Sequence, residues 1–500
     1  MSSQSKKYSI TYDNESNNTK NTQQGGALVL KEDRTILLSC KEFNSVVDKI
    51  MIKDGNNMIK RIIETQDELS GQPVPVVGQD DISISSYDEL TKLDNDVNLS
   101  IDSPGAYKKF CKESRLEDDS NTNTTIKKMF ARKVNKFFSE HFFRGFINWN
   151  TYDDLTPDIK MDSTTIINLR NSNVVYLAYF SEDEPESTKI THQLMLLYSL
   201  AHYGVKSITI VLPYYPVGTM ERIVGEGEIP TGYAFAQMLN NIPSATGKNN
   251  LIIFDIHALS SRFFFHTNLR PTIVSMLSYY LDYINHKYPG AENNNIIVFP
   301  DDGAKKRFEK QMPKNFKTIL CSKERKGEDR IIKIEEGIEN IDLTGKTNNL
   351  FIIDDLIQSG GTSKETVHGI KTSIKKLIDK KGLTNIDINS NKFKYFTMIT
   401  HLVAPNAKKF YNFIKPVKMM TEEEKCKANK LDLVVGDIEK LITTNTRPLR
   451  GPYLINKMNE MDITDHSLGN KIEIIDISEI LHDVLIRPKS TVYIAPNIMM

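Results

Sequence analysis

The strongest constraint on the fold is a series of short apolar runs, too short for buried helices, each bounded by turn residues. They are Val174–Phe180, Ser207–Leu212, Leu251–Phe254, Ile296–Phe299 and Leu350–Ile353. Continuous apolar character means burial on both faces, which is the mark of strands in a largely parallel sheet. Helix-like segments separate the runs. Between the first two, Leu194, Leu197, Tyr198 and Leu200 recur at helical spacing within Ile190–Tyr203. Alternation of such strands and helices specifies an α/β fold, and two such units fit between residue 127 and about residue 405.

The remaining chain divides by composition. Residues 1–26 are rich in Ser, Asn, Thr and Gln and read as a disordered tail. Residues 27–126 read as an N-terminal extension without chemistry. Within it, residues 66–103 carry nine acids against Lys92 alone, as a solvated connector would. The two units are expected at 127–274 and 275–500, with an insertion at about 406–459. The segment Ile472–Leu485 is expected to return as a strand and helix packed on the second unit.

Overall, 64 Lys and Arg balance 64 Asp and Glu. That neutrality excludes a dedicated nucleic-acid coat, whose affinity rests on neutralising phosphates. Cys40, Cys111, Cys321 and Cys426 lie far apart, with neither metal-ligand spacing nor a disulfide framework. No apolar run is long enough for a membrane helix, and the N-terminus has the features of neither a signal nor a transit peptide. A cytoplasmic location is the expectation.

Chemistry gathers where strands end. The run Leu350–Ile353 leads directly into Asp354 and Asp355, then Gln358-Ser359-Gly360-Gly361-Thr362 and a helical pattern. In parallel sheets ligands sit at the carboxyl ends of strands. Carboxylates there can accept from vicinal sugar hydroxyls or hold a metal, and a glycine turn at a helix N-terminus can cradle a phosphate. A side chain at these glycines is expected to block the approach of phosphate oxygens. A second run ends in Asp255-Ile256-His257, where strand alternation would put Asp255 and His257 on one side. A functional role, in metal binding or contact with a phosphate, and a structural role remain equally open for that pair. A third run ends in Asp301-Asp302-Gly303, and one acid of this pair suits Mg²⁺. Between residues 304 and 333 eleven Lys and Arg stand against four Asp and Glu. This stretch suits a flexible cover that brings positive charge to a polyphosphate. Gly345-Lys346-Thr347 imitates the end of a P-loop, but Asn340 stands where its first glycine belongs. Gly225 and Gly227 imitate a dinucleotide fingerprint, but Pro230 occupies the third glycine position.

With these residues in view, the segment from about 173 to 404 resembles the ribose-phosphate pyrophosphokinases (phosphoribosyl diphosphate synthetases). Five motifs follow in the family's order: Leu212–Pro216, Phe254–Ala258, Phe299–Gly303, Ser322–Lys326 and Ile353–Thr362. The wording around Phe254 and Asp354, with Thr219–Arg222, is most similar to the divergent plant-type subgroup. The resemblance implies two tandem type I phosphoribosyltransferase-like, Rossmann-like domains with parallel sheets. It implies transfer of the diphosphoryl group of ATP, or another nucleoside triphosphate, to the anomeric hydroxyl of ribose 5-phosphate, with Mg²⁺ as cofactor and AMP as product.

On the same resemblance Asp354, Asp355, Gln358, Ser359, Gly360, Gly361 and Thr362 bind ribose 5-phosphate. Glu221, Arg222 and His257 bind nucleotide; His257, Asp301 and Asp255 hold metal; and Lys323, Arg325 and His257 are catalytic. A homo-oligomer is implied, alone or with paralogous subunits. The sequence departs from the family pattern at two places. Thr219-Met220-Glu221 stands where Arg-Gln-Asp is usual, which opens the donor site to other nucleotides, and Gln358 replaces an Asp. Two alternatives are a non-catalytic regulatory subunit, which would be free to lose His257, Asp301, Lys323 and Arg325, and a phosphoribosyltransferase, which would leave Asp255 and His257 without a role.

Overall fold

The computed structural model describes residues 34–54, 142–181, 188–216, 220–221, 223, 225–290, 292–326, 329–383, 386, 392–415, 438–461 and 468–485. The expected tail and acidic connector lie outside these residues. Strands in chain order are β1 (Thr35–Ser39), β2 (Phe142–Arg144), β3 (Ile147–Thr151), β4 (Pro157–Met161), β5 (Asn173–Leu177), β6 (Ser207–Leu212), β7 (Asn249–Phe254) and β8 (Leu269–Val274). All but β3 and β4 form one parallel sheet ordered β2-β1-β5-β6-β7-β8; β3 and β4 pair as an antiparallel hairpin.

The second sheet contains β9 (Asn293–Phe299), β10 (Lys317–Lys326), β11 (Asp329–Glu336), β12 (Thr347–Ile357), β13 (Phe393–Leu402), β14 (Ile438–Thr444) and β15 (Ile472–Ile475). Its order is β11-β10-β9-β12-β13-β14-β15, and it is parallel except where β10 meets β11. This is the α/β architecture that the apolar runs require. Among the described residues, no helix is long and apolar enough to cross a membrane.

Alternation along β12 shows how the two sheets share their interior. Phe351 and Ile353 belong to the core built around the first sheet, whereas Leu350 and Ile352 face the second unit's own core. The rings of Phe351 and Phe396 stack 4.8 Å apart on the shared side, with Tyr288 against both. Each fully buried aliphatic side chain of this kind contributes about 1.5–3 kcal/mol, so the sheets are joined by packing as well as by the chain.

Two expectations about organisation do not hold, and a third needs an addition. Residues 35–54 are no detached extension: β1 lies between β2 and β5, and Ile36, Leu37 and Leu38 are fully buried. Arg144 on β2, itself buried, anchors the helix over 44–54 by donating from Nε to Asp48 (3.0 Å) and from a terminal nitrogen to Asn44 (2.8 Å). The segment 406–459 is no simple insertion, because β14 lies inside the sheet with Leu441 and Ile442 fully buried. Finally, β15 does join the second sheet, but the helix Ser478–Leu485 after it packs in the shared core and meets the helix over 44–54.

That last contact is ionic as well as apolar. Lys49 pairs with Asp476, Lys53 with Glu479 at 3.5 Å, and buried His482 lies 3.4 Å from Asp54 and 3.5 Å from Asp483. Burial by itself lowers the His482 imidazole, but Asp483 and Asp54 outweigh it and raise it above its ordinary value, against a smaller opposing effect of Lys53. A raised folded-state value stabilises fully below the unfolded value of about 6.5 and is lost as pH climbs through the folded one. Thermal melts of the wild type and of His482→Gln between about pH 5.5 and 8.5 should therefore converge as pH rises. Profiles that stay parallel would contradict this role for His482.

Candidate active site

Three strands deliver the site. β9 and β12 are neighbours in the second sheet, and β7 comes from the first. Asp301 follows β9 and Asp255–His257 follow β7, while Asp354 and Asp355 lie within the last residues of β12, which runs on to Ile357. His257 donates from Nδ1 to Asp355 Oδ2 at 2.7 Å, and Arg307 reaches Asp355 Oδ1 at 3.0 Å while also donating to the carbonyl of His257. The structure thus brings His257 and Asp355 together across 98 residues of chain.

Electrostatics within this group are unequal. Burial would raise Asp355, but the His257 hydrogen bond and the Arg307 charge outweigh it and hold the carboxyl well below its usual range. Asp354 is half-buried and is pushed well up, by burial first and then by the neighbouring Asp355 charge. Its Oδ1 accepts from the Asp355 amide at 2.9 Å. His257 is raised chiefly by its bond to Asp355, opposed by burial, with Glu221 adding to the rise. That coupling ties Glu221 of the expected nucleotide loop to His257. Arg222 and Thr219 lie outside the described residues.

Asp255 departs from expectation. β7 ends at Phe254, and Asp255 takes φ +28, so strand alternation does not carry through to His257. The Asp255 carboxylate is buried (2% exposed), where it accepts from the Thr400 hydroxyl at 2.6 Å and the Met276 amide at 3.2 Å. Burial raises this carboxyl to about 6. An enclosed, hydrogen-bonded group of this kind supports the backbone between β8 and β13, and Asp255 is withdrawn as a metal ligand.

Asp301 caps the helix Asp302–Phe308 by accepting from the Ala304 amide at 2.9 Å, and its other oxygen pairs with Lys323. Burial raises Asp301, but Lys323 and the Ala304 amide outweigh it and hold the carboxyl below its ordinary value. Lys323 lies on β10, which runs beside β9. The basic stretch is therefore not one cover: it supplies a helix, then β10 and β11 as an antiparallel hairpin. Arg325 is on the same strand, opposite Arg330; its side chain lies outside what is described.

The glycine turn begins the helix Gly361–Lys380, with Gln358 and Ser359 exposed and Gly361 and Thr362 half-buried. Gly360 has φ +79, and a Cβ there would lie 2.3 Å from the Phe413 ring. The glycine at 360 is thus required by backbone conformation and by a ring beneath it, not by phosphate approach alone. At the imitation P-loop, Asp342 Oδ1 itself accepts from the amides of Thr344 (2.8 Å), Gly345 (3.0 Å) and Lys346 (3.3 Å). A carboxylate fills the place a phosphate would need, which confirms the loop as structural.

Sequence reasoning missed Arg307. It stands in a row with Lys305 and Lys306, and no local pattern separates it from them. The only available signal was its residue type, since a planar fork can serve two acceptors where an ammonium cannot.

No protein-family model matches the chain. Ribose-phosphate pyrophosphokinase 3, chloroplastic, of Arabidopsis thaliana is 39% identical over 217 residues, covering 43% of this chain and 49% of the relative. Ribose-phosphate pyrophosphokinase 4 of rice (Oryza sativa subsp. japonica) is 36% identical over 220 residues, covering 44% and 63%. The isoform named 4 from Arabidopsis is 32% identical over 265 residues, covering 49% of this chain and 73% of the relative. The chain spans about half the length of the relatives named 3 from Arabidopsis, rice and spinach. A phosphoribosylpyrophosphate synthetase structure from Mycobacterium smegmatis aligns with 71% of this chain and 93% of that one at 16% identity, with a TM-score of 0.43, too low to carry an argument.

The Gly360 turn yields a direct expectation. Gly360→Ala should cost at least about 1–3 kcal/mol from the left-handed backbone alone, with the Phe413 contact adding to it. Chemical denaturation measures the loss, and a stability equal to wild type would contradict the geometry.

Proposed function

We propose that this chain, which belongs to the ribose-phosphate pyrophosphokinase family, transfers the diphosphoryl group of ATP or another nucleoside triphosphate to the C1 hydroxyl of ribose 5-phosphate. The products are the nucleoside monophosphate and phosphoribosyl diphosphate, the latter feeding nucleotide biosynthesis. One observation carries the reading: His257, Asp354–Asp355, and Asp301 with Lys323 converge at three strand exits from two sheets. A phosphoribosyltransferase would not need the His257 arm of that convergence.

In this reading Asp354 meets the ribose hydroxyls. The turn from Gln358 to Thr362, exposed at Gln358 and Ser359, receives the 5-phosphate through backbone amides and hydroxyls at the start of a long helix. Glu221 and Arg222 belong to the nucleotide side. Lys323 faces the transferring group, and Arg325 of the same strand is assigned to the same role, where positioning and charge neutralisation supply most of the rate. Lys323 rests on Asp301 until a polyphosphate offers it a stronger partner.

Mg²⁺ suits the donor set. Asp301 is a charged carboxylate at a strand exit, and His257, bound through Nδ1, keeps Nε2 for a ligand. Mg²⁺ commonly uses one or two protein ligands and takes the rest from phosphate oxygens and water. When bound, the ion would neutralise triphosphate charge; Asp301 and His257 are the residues to hold it.

A homo-oligomer and a cytoplasmic location complete the proposal. Purified protein with ribose 5-phosphate, Mg²⁺ and each nucleoside triphosphate in turn should release the matching monophosphate only when the sugar is present. Lys323→Ala should slow that release by about 10²-fold or more, as loss of a charge-stabilising donor does, while nucleotide binding stays measurable. No sugar-dependent release with any donor would sink the enzyme reading in favour of a regulatory subunit. An unchanged rate would remove Lys323 from the mechanism.

A further inference from the structure

Resemblance treats both acids of the Asp354–Asp355 pair as sugar contacts, but the two side chains live in different surroundings. Asp354 is half-buried, with one oxygen on its neighbour's amide. Asp355 is 3% exposed, and each of its oxygens already has a cationic or donor partner: Arg307 on Oδ1, His257 Nδ1 on Oδ2. A carboxylate enclosed in this way has little left to offer a hydroxyl.

Arg307 is equally enclosed. Its side chain is 10% exposed, whereas its neighbour Lys305 pairs with the surface acids Glu309 at 3.6 Å and Glu336 at 3.9 Å. Arg307 serves two acceptors at once, the Asp355 carboxylate and the His257 carbonyl. Residue 257 is therefore gripped twice, at its ring by Asp355 and at its backbone by Arg307. The grip joins β7 of the first sheet to β12 and to the helix following β9. A histidine that presents one ring nitrogen to a ligand is typically oriented by a carboxylate on the other, and this arrangement meets that requirement.

We propose that Asp355 and Arg307 are positioning residues: Asp355 fixes the His257 ring through Nδ1 so that Nε2 faces the substrates, and Arg307 compensates the buried carboxylate and locks the His257 backbone. This rests on the function proposed above and assigns sugar contact to Asp354 alone. Arg307 cannot be replaced by Lys without loss, because a single ammonium lacks the fork that spans both acceptors.

The test compares wild type with Asp355→Asn, Arg307→Lys and the double variant Asp355→Asn/Arg307→Met, all as full chains. With ribose 5-phosphate and ATP varied separately, Asp355→Asn should lower kcat about 10- to 100-fold. Its KM for ribose 5-phosphate should stay within about 2-fold. Arg307→Lys should lose kcat in the same way. The double variant, which removes both buried charges, should regain the melting temperature lost by Asp355→Asn without regaining kcat. A KM for ribose 5-phosphate raised about 10-fold with kcat kept, or full kcat in the double variant, would overturn the proposal.

Long-range ¹H–¹⁵N spectra of histidine-labelled wild-type protein provide a readout that needs neither variants nor turnover. His257 should carry its proton on Nδ1, and a bare Nδ1 would overturn the proposal. A wild-type chain with the expected spectrum but no sugar-dependent turnover would refute the function reading and leave the orientation of His257 standing.

Discussion

Asp355 sits where two sheets meet, and its charge has to be met inside the protein. An ionised carboxylate with no partner would cost several kcal/mol at such depth, so the fold must bring cations to it. It does so from two directions, with His257 arriving on the exit of β7 and Arg307 on the helix after β9. Because those partners lie on different elements, satisfying one buried charge fixes the relative placement of three strand exits. Lys323 reaches Asp301 only because β10 runs beside β9 in the same arrangement.

The surrounding core makes that arrangement stiff. The second sheet turns one face to its own helices and the other to the core of the first unit, where Phe351 and Phe396 stack. The far end of the chain adds to the same body: the helix Ser478–Leu485 closes against the helix over 44–54 by apolar packing and by the Asp54–His482–Asp483 group. Site chemistry and chain closure thus depend on the same shared interior, though through different residues.

Much of this could be read from the sequence, because strands buried on both faces write themselves as apolar runs. β5, β6, β7, β9 and the body of β12 fell where those runs lie, and the acids that end them mark the candidate site. β1 escaped because its partners, β2 and β5, are more than a hundred residues away, and one short run beside a polar tail carries no sign of its neighbours. β14 escaped because a Lys- and Glu-rich segment precedes it. Asp255 misled because strand periodicity was extended past the strand's end at Phe254 to His257, through a positive φ at Asp255 that sequence does not announce. Arg307 was invisible because pairing across the two sheets is a tertiary fact, and Phe413 under Gly360 is another.

The proposed activity is decided by what the three strand exits do to a triphosphate and a sugar. Phosphorus-31 NMR of the full chain with ATP, ribose 5-phosphate and Mg²⁺ follows every phosphate at once. AMP and the diphosphate signals of phosphoribosyl diphosphate should grow together in equal amounts as ATP disappears. Persistence of ATP, or its breakdown to ADP and orthophosphate without a sugar diphosphate, would contradict it.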